Sequence, residues 1–285
     1  MRIGTVRELW RYPVKSMAGE QREAVAVTAF GIVGDRGWAV RDERRGAIVG
    51  AKKVAELMRC SARYLEEPRS GSNAVAEIRL PDGGVVHTGD PQVSARLSQA
   101  LARPVTLWPL LSAEARDHFR RGAPDDPDME AELRAIFGRA ADEPLPDLSI
   151  FPPELFEYES LPGTYFDAFP LLLMTSASLR RLQSLASGSR VDVRRFRPNL
   201  VLETEEQEGF AEEAWLGRQL RIGSVTVETL VRCPRCVMIT HEFADLPRDP
   251  QIMRTLVREN EGNLGVYARV IEPGTIARGD AAAIV

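Results

Sequence analysis

The sequence predicts a mainly β chain with helical insertions, an α+β architecture built on β-barrels rather than a doubly wound sheet. Three observations carry that expectation. Short β-prone runs recur at both ends of the chain, tight-turn signals separate them, and the helical periodicities are scattered with no regular βα alternation. At 285 residues the chain has room for two domains, or one large one, around a substantial core.

The first hundred residues read mainly as short strands. Val25–Val27, Trp38–Val40, Glu77–Leu80 and Val85–His87 are separated by turn signals that include Gly31-Ile-Val-Gly-Asp35 and Pro81-Asp-Gly-Gly84. The second of these predicts a hairpin. Val93, Leu97 and Leu101 recur at helical spacing, and Pro104–Trp108 returns to strand. Residues 111–164 read as a connecting region, acidic and proline-rich at Pro124–Glu132 and again at Glu143–Pro146. Met129, Leu133, Ile136 and Phe137 mark one amphipathic helix there, with the acidic run as its solvated start.

From residue 165 onward the pattern is β again. Phe169–Met174 is a buried apolar run that ends at Thr175-Ser176. Leu179, Leu182 and Leu185 follow at helical spacing, with Gly188 as the expected stop. Phe196-Arg-Pro-Asn199 leads into a strand over Leu200–Leu202. Leu220–Ile222 and Val225–Val227 flank Gly223-Ser224, a hairpin signal. Asp249-Pro250 caps a helix carrying Ile252, Met253, Leu256 and Val257, and Leu264–Ile271 and Ala281–Val285 are strands.

Composition excludes several function classes. A net charge of -4 and a pI near 5.6 argue against nucleic acid as the main partner. Three cysteines make no disulfide framework and fit a reducing cytoplasm. The start lacks the apolar core of a signal peptide, and no run approaches the roughly 18 apolar residues that span a bilayer. A soluble, cytoplasmic protein is expected.

The chemistry-bearing feature is Arg232-Cys-Pro-Arg-Cys236. Thiolate sulfur is the ligand that soft metals select, yet the other cysteine, Cys60, is remote. The pair Cys233 and Cys236 is therefore a redox dithiol, a site where one thiolate holds a preassembled metal cofactor, or two core cysteines. Four further segments join polarity to tight turns: Tyr12-Pro-Val-Lys15-Ser16, Gly34-Asp35-Arg36, Thr175-Ser176 at a helix start, and Phe196-Arg197-Pro-Asn199. Singly, Lys15 and Arg36 read as surface charges, Thr175 or Ser176 as an N-cap, and Arg197 as a structural arginine. Together they read as phosphate binders beside a thiolate, which describes a ligand with a phosphate at one end and a metal at the other.

That combination resembles the MOSC family, named for the C-terminal part of molybdenum cofactor sulfurases. The likeness is to its two-part members, related to the mitochondrial amidoxime reducing component and its bacterial counterparts. Residues 1–110 look like their N-terminal β-barrel module through Tyr-Pro-Val-Lys-Ser and Gly-Asp-Arg-Gly-Trp. Residues 165–285 look like the MOSC β-barrel domain through Phe-Arg-Pro-Asn, Trp215-Leu-Gly217 with Leu220-Arg-Ile-Gly223, Arg-Cys-Pro-Arg-Cys and Pro273-Gly-Thr-Ile-Ala-Arg-Gly-Asp280.

The resemblance implies a molybdenum cofactor, Mo-molybdopterin. Cys236 would be the metal ligand, Cys233 would not, and Lys15, Ser16, Arg36, Thr175, Ser176, Arg197 and Asn199 would hold the pterin and its phosphate. It implies two-electron reduction of N-hydroxylated compounds. No ferredoxin-type cysteine cluster is present in the sequence, so the electrons are expected from a separate donor protein carrying flavin, haem or iron–sulfur. After Thr240 the sequence lacks the Asp-x-x-Thr-Gly hairpin of the mitochondrial members, which leaves substrate range the loosest inference. A sulfur-carrier or cofactor-delivery protein with a persulfide on Cys236 is the alternative, and a non-catalytic binding protein a third.

Overall fold

The strand that closes the structure is one the period-two pattern conceals. In the computed structural model, which describes residues 1–204 and 208–285, Arg2–Arg11 is a single ten-residue strand. Its buried apolar residues, Ile3, Val6 and Leu9, recur every three positions rather than every two. The register slips between Arg2 and Gly4 against one neighbour and between Val6 and Glu8 against the other. Such bulges insert an unpaired residue and break the alternation on which strand recognition rests.

Arg2–Arg11 pairs antiparallel with Leu200–Glu203 on one side and with Ala281–Ile284 on the other. From Leu200–Glu203 the sheet runs through Leu171–Thr175, Asn263–Glu272, Val225–Pro234 and Gln219–Ile222 to Ala281–Ile284. The result is a closed seven-strand barrel with one parallel pairing, Leu171–Thr175 against Leu200–Glu203. Closure leaves no free edge. The interior is filled by Ile3, Val6, Leu9, Leu171, Leu173, Leu200, Leu202, Leu220, Ile222, Val225, Val227 and Val266, all buried. Gly4 makes the close approach at the seam possible, since a Cβ there would sit 2.2 Å from the carbonyl oxygen of Glu203.

The N-terminal module leaves this barrel after Arg11 and packs short sheets around a second core. Val105–Pro109, Trp38–Asp42 and Ala47–Ile48 form one sheet, and Ser61–Tyr64, Ala76–Arg79 and Val85–His87 another. The expected hairpin turns at Pro81–Gly84, where the N–H of Leu80 donates to the carbonyl of Gly84 at 2.8 Å. A third sheet pairs Ala24–Thr28 with Gly274–Ala277 from the far end of the chain. The chain ends are thus interleaved rather than stacked in sequence order.

Four helices fall where periodicity places them, Val93–Ala100, Met129–Phe137, Ser176–Leu185 and Gln251–Asn260, while the four-residue helices Arg116–Phe119 and Glu154–Glu157 carried no periodic signal. Asp128 caps the second, accepting from the N–H of Glu130, and Gly138 ends it in the left-handed region. The helix from Ser176 stops at Leu185, short of Gly188. The acidic run is not wholly solvated: Glu132 is buried and pairs with Lys53. Among the described residues no helix is long and apolar enough to cross a membrane.

Candidate functional site

The site forms where the first barrel strand ends. Tyr12–Ser16 leaves the barrel alongside the Asp35–Trp38 turn, tied by the N–H of Arg36 to the carbonyl of Tyr12 at 2.6 Å and the N–H of Lys15 to that of Trp38 at 2.8 Å. Ser16, Arg36 and Arg197 all adopt positive φ, at 67°, 52° and 56°. That conformation costs non-glycine residues energy and persists only where surrounding contacts hold it. Its recurrence at three polar positions marks the place before any ligand is considered.

Of the sequence-predicted residues, the structure brings Lys15, Ser16, Arg36, Arg197, Asn199 and Cys236 to one cleft of about 80 Å³, together with Cys233. Thr175 and Ser176 are not in it. Thr175 does cap its helix, accepting from the N–H of Ser178 at 3.1 Å, but its hydroxyl donates to Glu212 at 2.7 Å and that of Ser176 to Glu203 at 2.7 Å. The carboxyl of Glu212, fully buried, takes up the hydroxyls of Thr175 and Ser178 at this helix start. Burial pushes that carboxyl up, against the hydrogen bonds from Ser178 and Thr175.

The gathered residues differ in what they leave free. Lys15 is committed: its Nζ donates to Asp167 at 2.6 Å, to the carbonyl of Tyr165 at 2.9 Å and to Ser160 at 3.2 Å. Asn199 is committed too, donating to Asp35 at 2.9 Å and accepting from the N–H of Leu172 at 3.1 Å. Ser16 accepts from the N–H of Ala51 at 2.9 Å, which leaves its own proton to donate. Arg36 pairs with Asp35.

Arg197 is the exception. It stacks on the ring of Tyr12 at 4.2 Å while Arg36 lies over the same ring at 4.9 Å. One of its terminal nitrogens donates to the carbonyl of Met17. The other, Nη2, is buried and has no partner. Burial, the nearby charge of Arg36 adding to it, lowers the Arg197 guanidinium to about 10. A buried, unpaired N–H on a cation is costly and points to a missing acceptor.

At the other end Cys236 is half-buried and opens a 3-10 turn over Val237–Thr240, and all three cysteines are free thiols. Burial pushes the Cys236 thiol up, and Cys233 is buried and shifted the same way. The turn is held by Arg195, whose guanidinium donates to the carbonyls of Ile239 at 3.2 Å, His241 at 3.0 Å and Pro247 at 2.6 Å. The segment after it folds inward. Phe243 and Leu246 bond each other across a tight turn and join the core of the N-terminal module, so this stretch does not overhang the cleft.

Sequence reasoning missed Asp167, Arg235 and Tyr267. Arg235 stood inside a quoted motif; its guanidinium donates to the carbonyl of Phe196 at 2.9 Å, and its Nε is buried without a partner. Tyr267, whose hydroxyl burial keeps protonated, and Asp167, ion-paired to Lys15, carried no motif signal. Among the described residues no group of three or more histidine, cysteine, aspartate or glutamate side chains is placed to hold a metal ion.

A family model of the MOSC domain matches residues 161–283, and one of the MOSC N-terminal beta barrel domain matches residues 3–118. The mitochondrial amidoxime reducing component 2 of Bos taurus is 28% identical over 249 residues, covering 84% of this chain and 66% of that protein. The Homo sapiens protein of the same name is 29% identical over 245 residues, covering 84% of this chain and 67% of that protein. A molybdenum cofactor sulfurase of Oryza sativa subsp. japonica is 25% identical over 256 residues, covering 80% of this chain and 27% of that protein. The chain thus spans about two thirds of the length of the first two relatives.

Proposed function

Because the chain belongs to the MOSC family, in the two-part form with an N-terminal beta barrel domain, we propose that its cleft holds a molybdenum cofactor and that the protein reduces N-hydroxylated compounds. One observation carries the reading. A half-buried thiol and a buried guanidinium with an uncommitted N–H share one cleft. The residues fit such a group. A single protein thiolate suits a metal that arrives with its other ligands in place, and an unpaired guanidinium suits a phosphate.

In this reading Cys236 holds the metal through Sγ and gives up its proton on binding. Arg197 Nη2 and the Ser16 hydroxyl meet the phosphate, with Lys15, Arg36 and Asn199 shaping that end. Cys233 stays in the core. The cofactor, when bound, supplies the two-electron redox chemistry. The overall change is R–NHOH plus two electrons and two protons to R–NH₂ and water, the N–O bond breaking. Electrons come from a separate donor protein carrying flavin, haem or iron–sulfur. The free thiols fit a reducing compartment, and a cytoplasmic location is part of the proposal.

Holo-protein from a host that makes the cofactor is expected to reduce benzamidoxime with reduced viologen and to leave NADH untouched, since no Gly-x-Gly-x-x-Gly segment follows a strand. Amidine formation and NADH absorbance are the readouts. Fully loaded protein that reduces no N-hydroxylated compound would favour the sulfur-carrier reading, which calls for a persulfide on Cys236.

The phosphate end has its own test. Arg197→Ala is expected to retain several-fold less pterin than Ser16→Ala, charge-assisted bonds being about twice as strong as neutral ones. Pterin fluorescence after denaturation measures it, with a thermal melt to confirm the fold. Wild-type pterin content in Arg197→Ala would leave Arg197 only its bond to Met17 and its stacking on Tyr12.

A further inference from the structure

A second, larger cavity of about 330 Å³ opens onto the same thiol. It shares Asp167, Pro234, Cys236 and Tyr267 with the cationic cleft, so the two meet at the sulfur. Their chemistry differs. Leu133, Ile136, Phe137, Leu148, Phe151 and Phe156 are among the apolar residues that line the larger one. The cations at its rim are already neutralised: Lys52 pairs with Glu159 at 2.7 Å, Arg121 with Glu159 at 3.0 Å, and Lys53 with both Asp125, at 2.9 Å, and Glu132.

The helix Met129–Phe137 is turned the unusual way round. Its buried residue is the acid Glu132, while the apolar stripe Met129, Leu133, Ile136 and Phe137 belongs to none of the buried cores of the described residues. Met129 and Phe156 remain 58% and 53% exposed. An amphipathic helix normally covers its apolar face with protein. Here that face lines a cavity that ends at Cys236, and an exposed apolar surface beside a reactive group marks a ligand site.

We propose that this cavity receives the uncharged apolar body of the substrate, an aryl or alkyl group, and directs its N-hydroxyl end toward Cys236. The inference rests on the reductase reading for the identity of that end. A cavity of roughly 150 Å³ accepts one benzene ring, so this one has room for about two rings or a ring with a short alkyl chain. Charged bodies are disfavoured, because every rim charge has a partner that such a group would have to displace.

The test uses neutral, non-reducible benzamides with full-length protein, followed by calorimetry. Benzamide, 4-ethylbenzamide and 4-butylbenzamide are expected to bind progressively tighter, by roughly three- to fourfold per methylene, and 4-carboxybenzamide weaker than benzamide. Leu133→Glu and Ile136→Glu are each expected to weaken 4-butylbenzamide at least about tenfold, with Leu133→Met restoring it. Both positions line the cavity rather than a packed core, and a melt checks that the variants fold.

Equal binding of the butyl and carboxy compounds, or butyl binding indifferent to both glutamates in folded protein, overturns the proposal. The matching amidoximes, assayed with reduced viologen, separate the two readings. Tighter butyl binding with no reduction of any amidoxime overturns the occupant's assignment as substrate and sinks the reductase reading. Reduction without any chain-length dependence of binding spares the reductase reading and overturns the apolar acceptor alone.

Discussion

Cys236→Ser, produced in a host that makes molybdenum cofactor, is expected to lose tenfold or more of its molybdenum while Cys233→Ser keeps most of it. The environments of the two thiols drive the difference. Cys236 is half-buried at the junction of two cavities, with its backbone fixed by the turn that Arg195 ties down. Cys233 lines the same cleft but is only 2% exposed, against Tyr267, and takes no part in the larger cavity. In the proposed site, exchanging sulfur for a hard hydroxyl would remove the protein's own sulfur ligand, and the loss of a first ligand exceeds the roughly 10- to 100-fold that outer partners contribute. Metal analysis beside a thermal melt decides it. Equal molybdenum in the two variants would defeat the assignment.

The second large effect concerns the barrel. Residues 161–285 expressed alone are expected to be aggregated or unfolded, although they span the whole MOSC match. They carry six strands of the seven and leave the flanks of the missing one, Leu200–Glu203 and Ala281–Ile284, unpaired. Burial of Ile3, Val6 and Leu9 alone is worth about 5–8 kcal/mol, comparable to the whole margin of a typical domain. Two exposed edges add an aggregation hazard. Joining residues 1–12 to this fragment through a flexible linker should restore a cooperative melt. A monomeric fragment 161–285 that melts cooperatively without them would show the first strand to be dispensable.

Much of both fold and site is legible locally. Hairpins announced by Pro81–Gly84 and Gly223-Ser224 form as turn chemistry dictates, and the long periodic helices appear with their caps. Lys15, Arg36, Arg197 and Cys236 gather because each lies on or beside a strand end or tight turn, where local sequence reports geometry. What escaped is what distant residues decide. Two bulges erased the alternation of Arg2–Arg11. Thr175 and Ser176 have the residue types of an anion site, but their hydroxyls go to Glu212, 37 residues after Thr175, and to Glu203. The stripe of Met129–Phe137 looks like any core-facing helix, and only the fold shows that it faces empty space.

Two guanidinium groups sharing one tyrosine ring have a consequence beyond ligand affinity. Asp35 is claimed by Arg36 and Asn199, and neither it nor Asp167, though both act on Arg197 through space, satisfies the buried Nη2, which also feels the charge of Arg36. A multivalent anion that meets this N–H stabilises the native state by mass action, about 2.7 kcal/mol at a hundred times its dissociation constant. Millimolar phosphate or sulfate should raise the melting temperature of cofactor-free protein more than chloride at equal ionic strength, and Arg197→Met should abolish the difference. If the cleft holds the proposed cofactor, the same linkage would make the unloaded chain the preferred prey of proteases in a cell. Cofactor supply would then govern how much of the protein survives as well as how much of it works.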